Sequence, residues 1–234
     1  FTHVVSGRDQ TLLYMWPHGG KLFRLGDIDR DGTLDLALGD LVYASRSGLL
    51  LGTRLGTVAW ADAGDVDGDL TPDLWAANPS GVDLISGRSW LTLRSVPWPF
   101  SSPTPAIDSL NWDTDGIRDL AVGSATNNTA SVLSGRDGTT LFTYSGRGPQ
   151  DGFGASFALV ASPQPATRLL AVAAPYGGIY DGGYAWLLGE PRFPPAVTEF
   201  GLACAPAPSG STLKWIGGYP SLGTTRVARV SGPV

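Results

Sequence analysis

Three nine-residue segments of this chain repeat one pattern: Asp27-Ile-Asp-Arg-Asp-Gly-Thr-Leu-Asp35, Asp65-Val-Asp-Gly-Asp-Leu-Thr-Pro-Asp73 and Asn111-Trp-Asp-Thr-Asp-Gly-Ile-Arg-Asp119. Each is followed by Leu and a short run of small or apolar residues: LALGD, LWAAN and LAVGS. A second motif recurs in alternation with the first. It reads VVSGRDQTLLY from Val4, VDLISGRSWLTL from Val82 and ASVLSGRDGTTLFTY from Ala130, with a weaker copy, LVYASRSGLLL, from Leu41. The Asp segments start 38 and then 46 residues apart, at positions 27, 65 and 111. Such a period suits a unit of four short strands and their turns, the size of one blade of a β-propeller.

Local chemistry agrees with strands. LALG and LAVG are short apolar runs, and SGRD places turn-forming residues between β-rich stretches, as in a hairpin. The 32 Gly and 18 Pro interrupt nearly every window long enough for a helix. The fold class expected is all-β: a partial, open-arc propeller of about four blades over residues 1–190. Residues 191–210 are Pro-rich and read as a linker. Residues 211–234 read as the start of a truncated C-terminal β-module or a tail. The first residues already lie inside a repeat, and neither a basic n-region nor an apolar h-region opens the chain. A chain whose start has been removed is expected.

Within the first Asp segment, carboxylates fall at positions one, three, five and nine (Asp27, Asp29, Asp31 and Asp35), and the backbone carbonyl of Thr33 at position seven is expected to point the same way. The second segment offers Asp65, Asp67, Asp69, Thr71 and Asp73; the third offers Asn111, Asp113, Asp115, Ile117 and Asp119. Carboxylates converging at about 4 Å repel by about 1 kcal/mol per pair in water, and by more once partly desolvated. A cation relieves that repulsion. The donors are all hard oxygens with no His or Cys among them, which disfavours zinc and copper. Several carboxylates and a carbonyl in a flexible loop suit Ca²⁺ better than Mg²⁺. Up to three Ca²⁺ ions are expected, binding in the order first, second, third segment. The second segment has Leu70 where the others have Gly, which predicts a looser turn, and the third has Asn111 in place of the first Asp. An EF-hand is excluded, because position twelve is Leu38, Ala76 or Val122 instead of a bidentate Glu.

These segments resemble the FG-GAP repeats of integrin α subunits and the related VCBS-like repeats of large secreted bacterial proteins. The likeness extends to Phe153-Gly154 and to Ala173-Ala174-Pro175, in a last unit whose Asp loop is replaced by residues such as Ala161, Pro163 and Pro165. The resemblance implies a seven-bladed ring with calcium loops on one face. Four units and a partial one then lack the remaining blades, and an open arc exposes blade edges that favour oligomers.

Charge narrows the function. Eleven of the 21 acidic residues lie in the three segments; the remainder of the chain carries 16 basic against 10 acidic residues, with no basic stripe. Nucleic acid is not expected as a partner. No apolar run reaches the roughly 18–20 residues of a helical membrane span. P-loop, G-x-S-x-G and H-E-x-x-H motifs are absent, and His3 and His18, the only histidines, read as surface residues. Asn127-Asn128-Thr129 matches a glycosylation sequon and reads as a loop; Trp98 and Trp112 are candidates to line a ligand surface. The single Cys204 is compatible with a lone thiol or with a partner elsewhere. The function expected is non-enzymatic: a secreted or cell-surface calcium-binding module that serves adhesion, scaffolding or the binding of a protein or carbohydrate. The alternatives are a fragment of a propeller-type polysaccharide lyase and a purely structural repeat.

Overall fold

The computed structural model describes residues 1–99, 105–113, 115–161, 168–177, 183–189, 198–200, 212–214, 226–227 and 229–231. They form strands and turns, and no helix among them is long and apolar enough to cross a membrane. The chain divides into two compact units, Phe1–Trp98 and Pro99–Val234.

The first unit opens with a hairpin of β1 (Thr2–Val5) and β2 (Leu12–Trp16). Two four-stranded antiparallel sheets follow. One is β3 (Leu22–Arg24), β4 (Leu36–Leu38), β5 (Leu41–Tyr43) and β6 (Leu50–Thr53); the other is β7 (Ala59–Gly64), β8 (Asp73–Asn78), β9 (Gly81–Ile85) and β10 (Thr92–Pro97). In the second unit, β11 (Pro105–Leu110), β12 (Asp119–Ser124), β13 (Thr129–Leu133) and β14 (Thr140–Ser145) repeat the same up-and-down order. The next sheet runs β15 (Phe157–Ala161), β16 (Arg168–Ala174), β17 (Tyr184–Gly189), β18 (Thr198–Phe200) and β20 (Arg226–Val227), with β19 (Thr212–Lys214) and β21 (Arg229–Ser231) paired separately.

Thr198–Phe200 falls in the segment expected to be a linker, yet it is hydrogen-bonded to β17, with Trp186 opposite Glu199. The blade-like sheet therefore reaches past residue 190. On its other side the same segment pairs in parallel with β20, Thr198 opposite Arg226, so the three residues lie between two strands although prolines surround them. Cys204, Pro163 and Pro165 lie outside the described residues.

Burial follows position in the sheet. Every residue of β12 is buried, and β8 is buried from Asp73 to Ala77, whereas the outer strands β10 and β14 alternate between part-buried and exposed. Strands covered on both faces read as continuous apolar runs of small residues, which accounts for LWAA and LAVG. Trp60 and Leu74 anchor the core of the first unit, and Phe153 and Leu170 that of the second. Trp112, expected as a ligand-surface candidate, is 1% exposed and lies edge-to-face with Phe142 in that second core. Trp98 is part-buried and donates its indole N–H to the Asn78 carbonyl at 2.8 Å.

The alternation of the two motifs is now a matter of topology. In each four-stranded sheet the Asp segment joins the first strand to the second, and the turn of the second motif, Ser-Gly-Arg in two sheets and Ala44-Ser45-Arg46 in the other, joins the third to the fourth. In an up-and-down sheet both connections fall at the same end. The turns form one family: Gln10, Gly48, Trp90 and Gly138 donate to the carbonyls of Ser6, Ala44, Ser86 and Ser134 at 2.8–2.9 Å, and all four have φ between 59° and 79°. The weak copy at Leu41 is thus as regular as the others. His3 and His18 are exposed, and Asn127–Asn128 lies in the turn after β12, as expected.

Candidate metal centres

Each Asp loop is built by its own carboxylates. Asp27 accepts the N–H groups of Asp31 at 3.0 Å and Gly32 at 2.9 Å, Asp29 accepts that of Asp31 at 3.2 Å, and Asp31 accepts that of Thr33 at 2.9 Å. The second loop repeats this. Asp65 holds Gly68 and Leu70, Asp67 holds Asp69, and Asp69 holds Thr71. In the third, Asp113 holds Asp115 and Asp115 holds Ile117. These side-chain bonds substitute for a regular turn and fix where the remaining carboxylate lone pairs face.

Position nine does a different job. One oxygen of Asp35 accepts from Ile28 at 2.8 Å and the other from Ser45 at 3.1 Å. Asp73 binds Val66 and Gly87 at 2.7 and 3.1 Å; Asp119 binds Trp112 and Gly135 at 2.5 and 2.9 Å. All three carboxylates are fully buried. Burial pushes each pKa above the ordinary carboxylate value, and the backbone N–H groups only partly offset it.

The structure brings together Asp27, Asp29 and Asp35, and likewise Asp65, Asp67 and Asp73, with one oxygen of each residue within 4.8 Å of the others. Ligand oxygens at 2.3–2.6 Å from a Ca²⁺ ion lie no more than about 4.6–5.2 Å apart. All three oxygens of a group can therefore touch one ion, and the all-oxygen donor set fits a hard cation. Position five departs from the expected four-carboxylate pocket, because Asp31 and Asp69 fall outside these groups.

The third loop differs. Asn111, Asp113 and Asp119 occupy the equivalent positions, but no group of three carboxylates forms there among the described residues. Arg136 also donates to Asp115 at 2.8 Å. Burial acts upward on the Asp115 carboxyl, yet the Ile117 N–H and the Arg136 guanidinium outweigh it, and its pKa is lowered.

The second loop is not looser than the first. Backbone φ is positive at positions four and six in both, through Arg30 (62°) and Gly32 (89°) in one and Gly68 (81°) and Leu70 (69°) in the other. Glycine has changed places while the backbone has kept its path. Sequence reading missed the arginines that brace these loops. Arg46 donates to the Asp31 carbonyl at 3.0 Å, and Arg30 reaches into the second loop, to the Asp69 carbonyl at 2.8 Å and the Thr71 hydroxyl at 2.5 Å. For Arg46 the available signal was the recurrence of Arg at one position of the second motif, as Arg8, Arg46, Arg88 and Arg136; Arg30, inside the first Asp segment, carried none. In the last unit the Phe-Gly and Ala-Ala-Pro segments also meet, Gly154 donating to the Ala173 carbonyl at 3.0 Å.

Among solved structures, the chain is similar to BBS1N in complex with ARL6DN, soaked with lead, with a TM-score of 0.53 and 13% identity over 86% of this chain and 61% of that one. BamB from Moraxella catarrhalis is a further neighbour, at a TM-score of 0.49 and 14% identity over 83% of this chain and 58% of that one. The chain spans about three fifths of the length of each. No family model matches it, and no curated protein matches it. The first likeness shows the fold alone: the chain is built as a β-propeller.

Proposed function

We propose that this chain is a calcium-binding module of a secreted or cell-surface repeat protein, serving ligand binding, adhesion or scaffolding. The observation that supports it is the pair of carboxylate groups, Asp27, Asp29 and Asp35 and Asp65, Asp67 and Asp73, each with three oxygens within one ion's reach. A bound Ca²⁺ supplies positive charge that relieves carboxylate repulsion, and metal binding then adds to folding free energy. The residues themselves do the positioning. Asp35 and Asp73 tie each loop to the neighbouring turn, so a loop tightened at positions one and three also holds the end of its sheet. Such a sheet end is a stiff platform for a partner.

Thermal unfolding in calcium against chelator tests this. Calcium at about a hundred times its dissociation constant is worth about 2.7 kcal/mol per site, so the midpoint rises clearly, and more than with magnesium. An identical midpoint in calcium and in chelator overturns the proposal.

A further inference from the structure

A cleft of about 320 Å³ opens in the first unit, lined among others by Ile28, Asp29, Leu51, Thr71, Arg88 and Trp90. That volume lies near the lower end of ligand clefts, which run from about 300 to 1,000 Å³. Its chemistry is set by a displaced arginine. Arg46, Arg88 and Arg136 occupy the same position in three successive turns. Arg46 binds the position-five carbonyl of its own Asp loop, and Arg136 binds the position-five carboxylate of its own. In the second loop that carbonyl, from Asp69, is held by Arg30. Arg88 is left exposed, with no hydrogen bond or ion pair among the described residues, and its side chain lines the cleft.

Trp90 is the second unusual feature. It holds φ at 59° where two of the equivalent turn positions are Gly48 and Gly138. A bulky side chain in that region costs about 1–2 kcal/mol. Its ring rests against Gly52, where an added Cβ would stand 2.4 Å from the indole, so the ring is braced from behind while it lines the cleft. An aromatic platform, a guanidinium without a counter-ion, a carboxylate, and a hydroxyl that accepts from a second guanidinium, Arg30, thus share one small space.

We infer that this cleft binds an acidic sugar, a uronate residue of a polysaccharide. Arg88 takes the sugar carboxylate, Trp90 stacks on the apolar face of the ring, and Asp29 and Thr71 meet its hydroxyl groups. Trp90 favours the sugar over an acidic peptide, because its ring offers a stacking face to the apolar side of a sugar ring, which an Asp-rich chain does not present. The inference rests on the chain being a binding module; Asp29 also belongs to the first carboxylate group, so Arg88 and Trp90, which belong to neither group, carry it.

Calorimetric titration of the full chain in calcium, with a short oligogalacturonate, its neutral galactose counterpart and an Asp-rich peptide, tests it. Oligogalacturonate binds, the neutral sugar binds far more weakly, and Arg88→Ala, at an exposed and unpaired side chain, weakens oligogalacturonate by at least about tenfold at an unchanged melting temperature. Absence of oligogalacturonate binding, equal affinity for the neutral sugar, an Arg88→Ala variant that binds as wild type, or an equal or tighter hold on the peptide overturns it. A normal calcium-induced rise in midpoint on the same sample, without sugar binding, defeats the cleft alone; an absent rise with sugar binding defeats the calcium reading alone.

Discussion

Asp73, the first residue of β8, accepts the backbone N–H of Gly87 at 3.1 Å, across fourteen positions of sequence. The same bond joins Asp119 to Gly135 and Asp35 to Ser45. It ties each Asp loop to the turn that ends the same sheet. At Gly87 an added Cβ would stand 1.9 Å from the Pro72 carbonyl oxygen, and at Gly135 2.0 Å from that of Arg118. Gly87→Ala and Gly135→Ala should therefore each destabilise by about 1–3 kcal/mol. Position 45 already carries a Cβ, and Ser45→Ala should cost less than about 1 kcal/mol. Urea midpoints of the three variants check this ordering.

Calcium stoichiometry follows from the carboxylate groups. Two tight equivalents are expected per chain, because the third loop assembles no group of three carboxylates among the described residues and has Arg136 on Asp115. Asp29→Asn and Asp67→Asn should each remove one tight equivalent in calorimetric titration, whereas Asp113→Asn should leave both. Three equal equivalents would contradict the geometry.

Exchanging the glycines tests the left-handed positions. Leu70 is 77% exposed at φ 69°, so its side chain contributes little packing against a backbone cost of about 1–2 kcal/mol. Leu70→Gly recovers that cost less about 0.5–1 kcal/mol of added chain entropy, and a small rise in melting temperature is expected. Gly32→Ala meets no atom within 4 Å and tests φ alone at 89°. It should destabilise by about 1–2 kcal/mol.

Tyr184 carries the clearest pH dependence. Its hydroxyl donates to Asp151 at 2.7 Å and accepts from the Arg147 N–H at 3.0 Å. Burial, and secondarily the bond to Asp151 and its charge, push its pKa from 10.0 up to about 12. A pKa raised on folding means that the phenol's contribution is complete below pH 10 and lost as pH climbs through about 12. Ultraviolet titration of Tyr184→Phe should lose one late-ionising phenol. At neutral pH the variant should lose about 1–2 kcal/mol, as two hydrogen bonds vanish.

Much of this was legible in the chain because it is local. Odd-numbered carboxylates around Gly32 announce a loop, and LAVG between turn signals announces a buried strand. The errors arose where a residue's role depends on neighbours distant in sequence. Trp112 reads like Trp90 in isolation, yet one is enclosed by Phe142 and the core while the other stands in a left-handed turn beside a cleft. Proline in 191–210 suggested a linker, and the pairing of Thr198–Phe200 with β17 on one side and β20 on the other could not be read from composition.

By itself, then, the sequence determined the repeat, the strand-and-turn alphabet and the all-oxygen character of the loops, since each follows from spacing and side-chain chemistry within a dozen residues. Only the tertiary structure decided that position nine is bolted to the following turn, that position five lies outside the three-oxygen group, and that Arg30 displaces Arg88. Those outcomes depend on which backbone groups stand within about 3 Å once the strands have paired, and pairing is a property of the sheet, not of the segment.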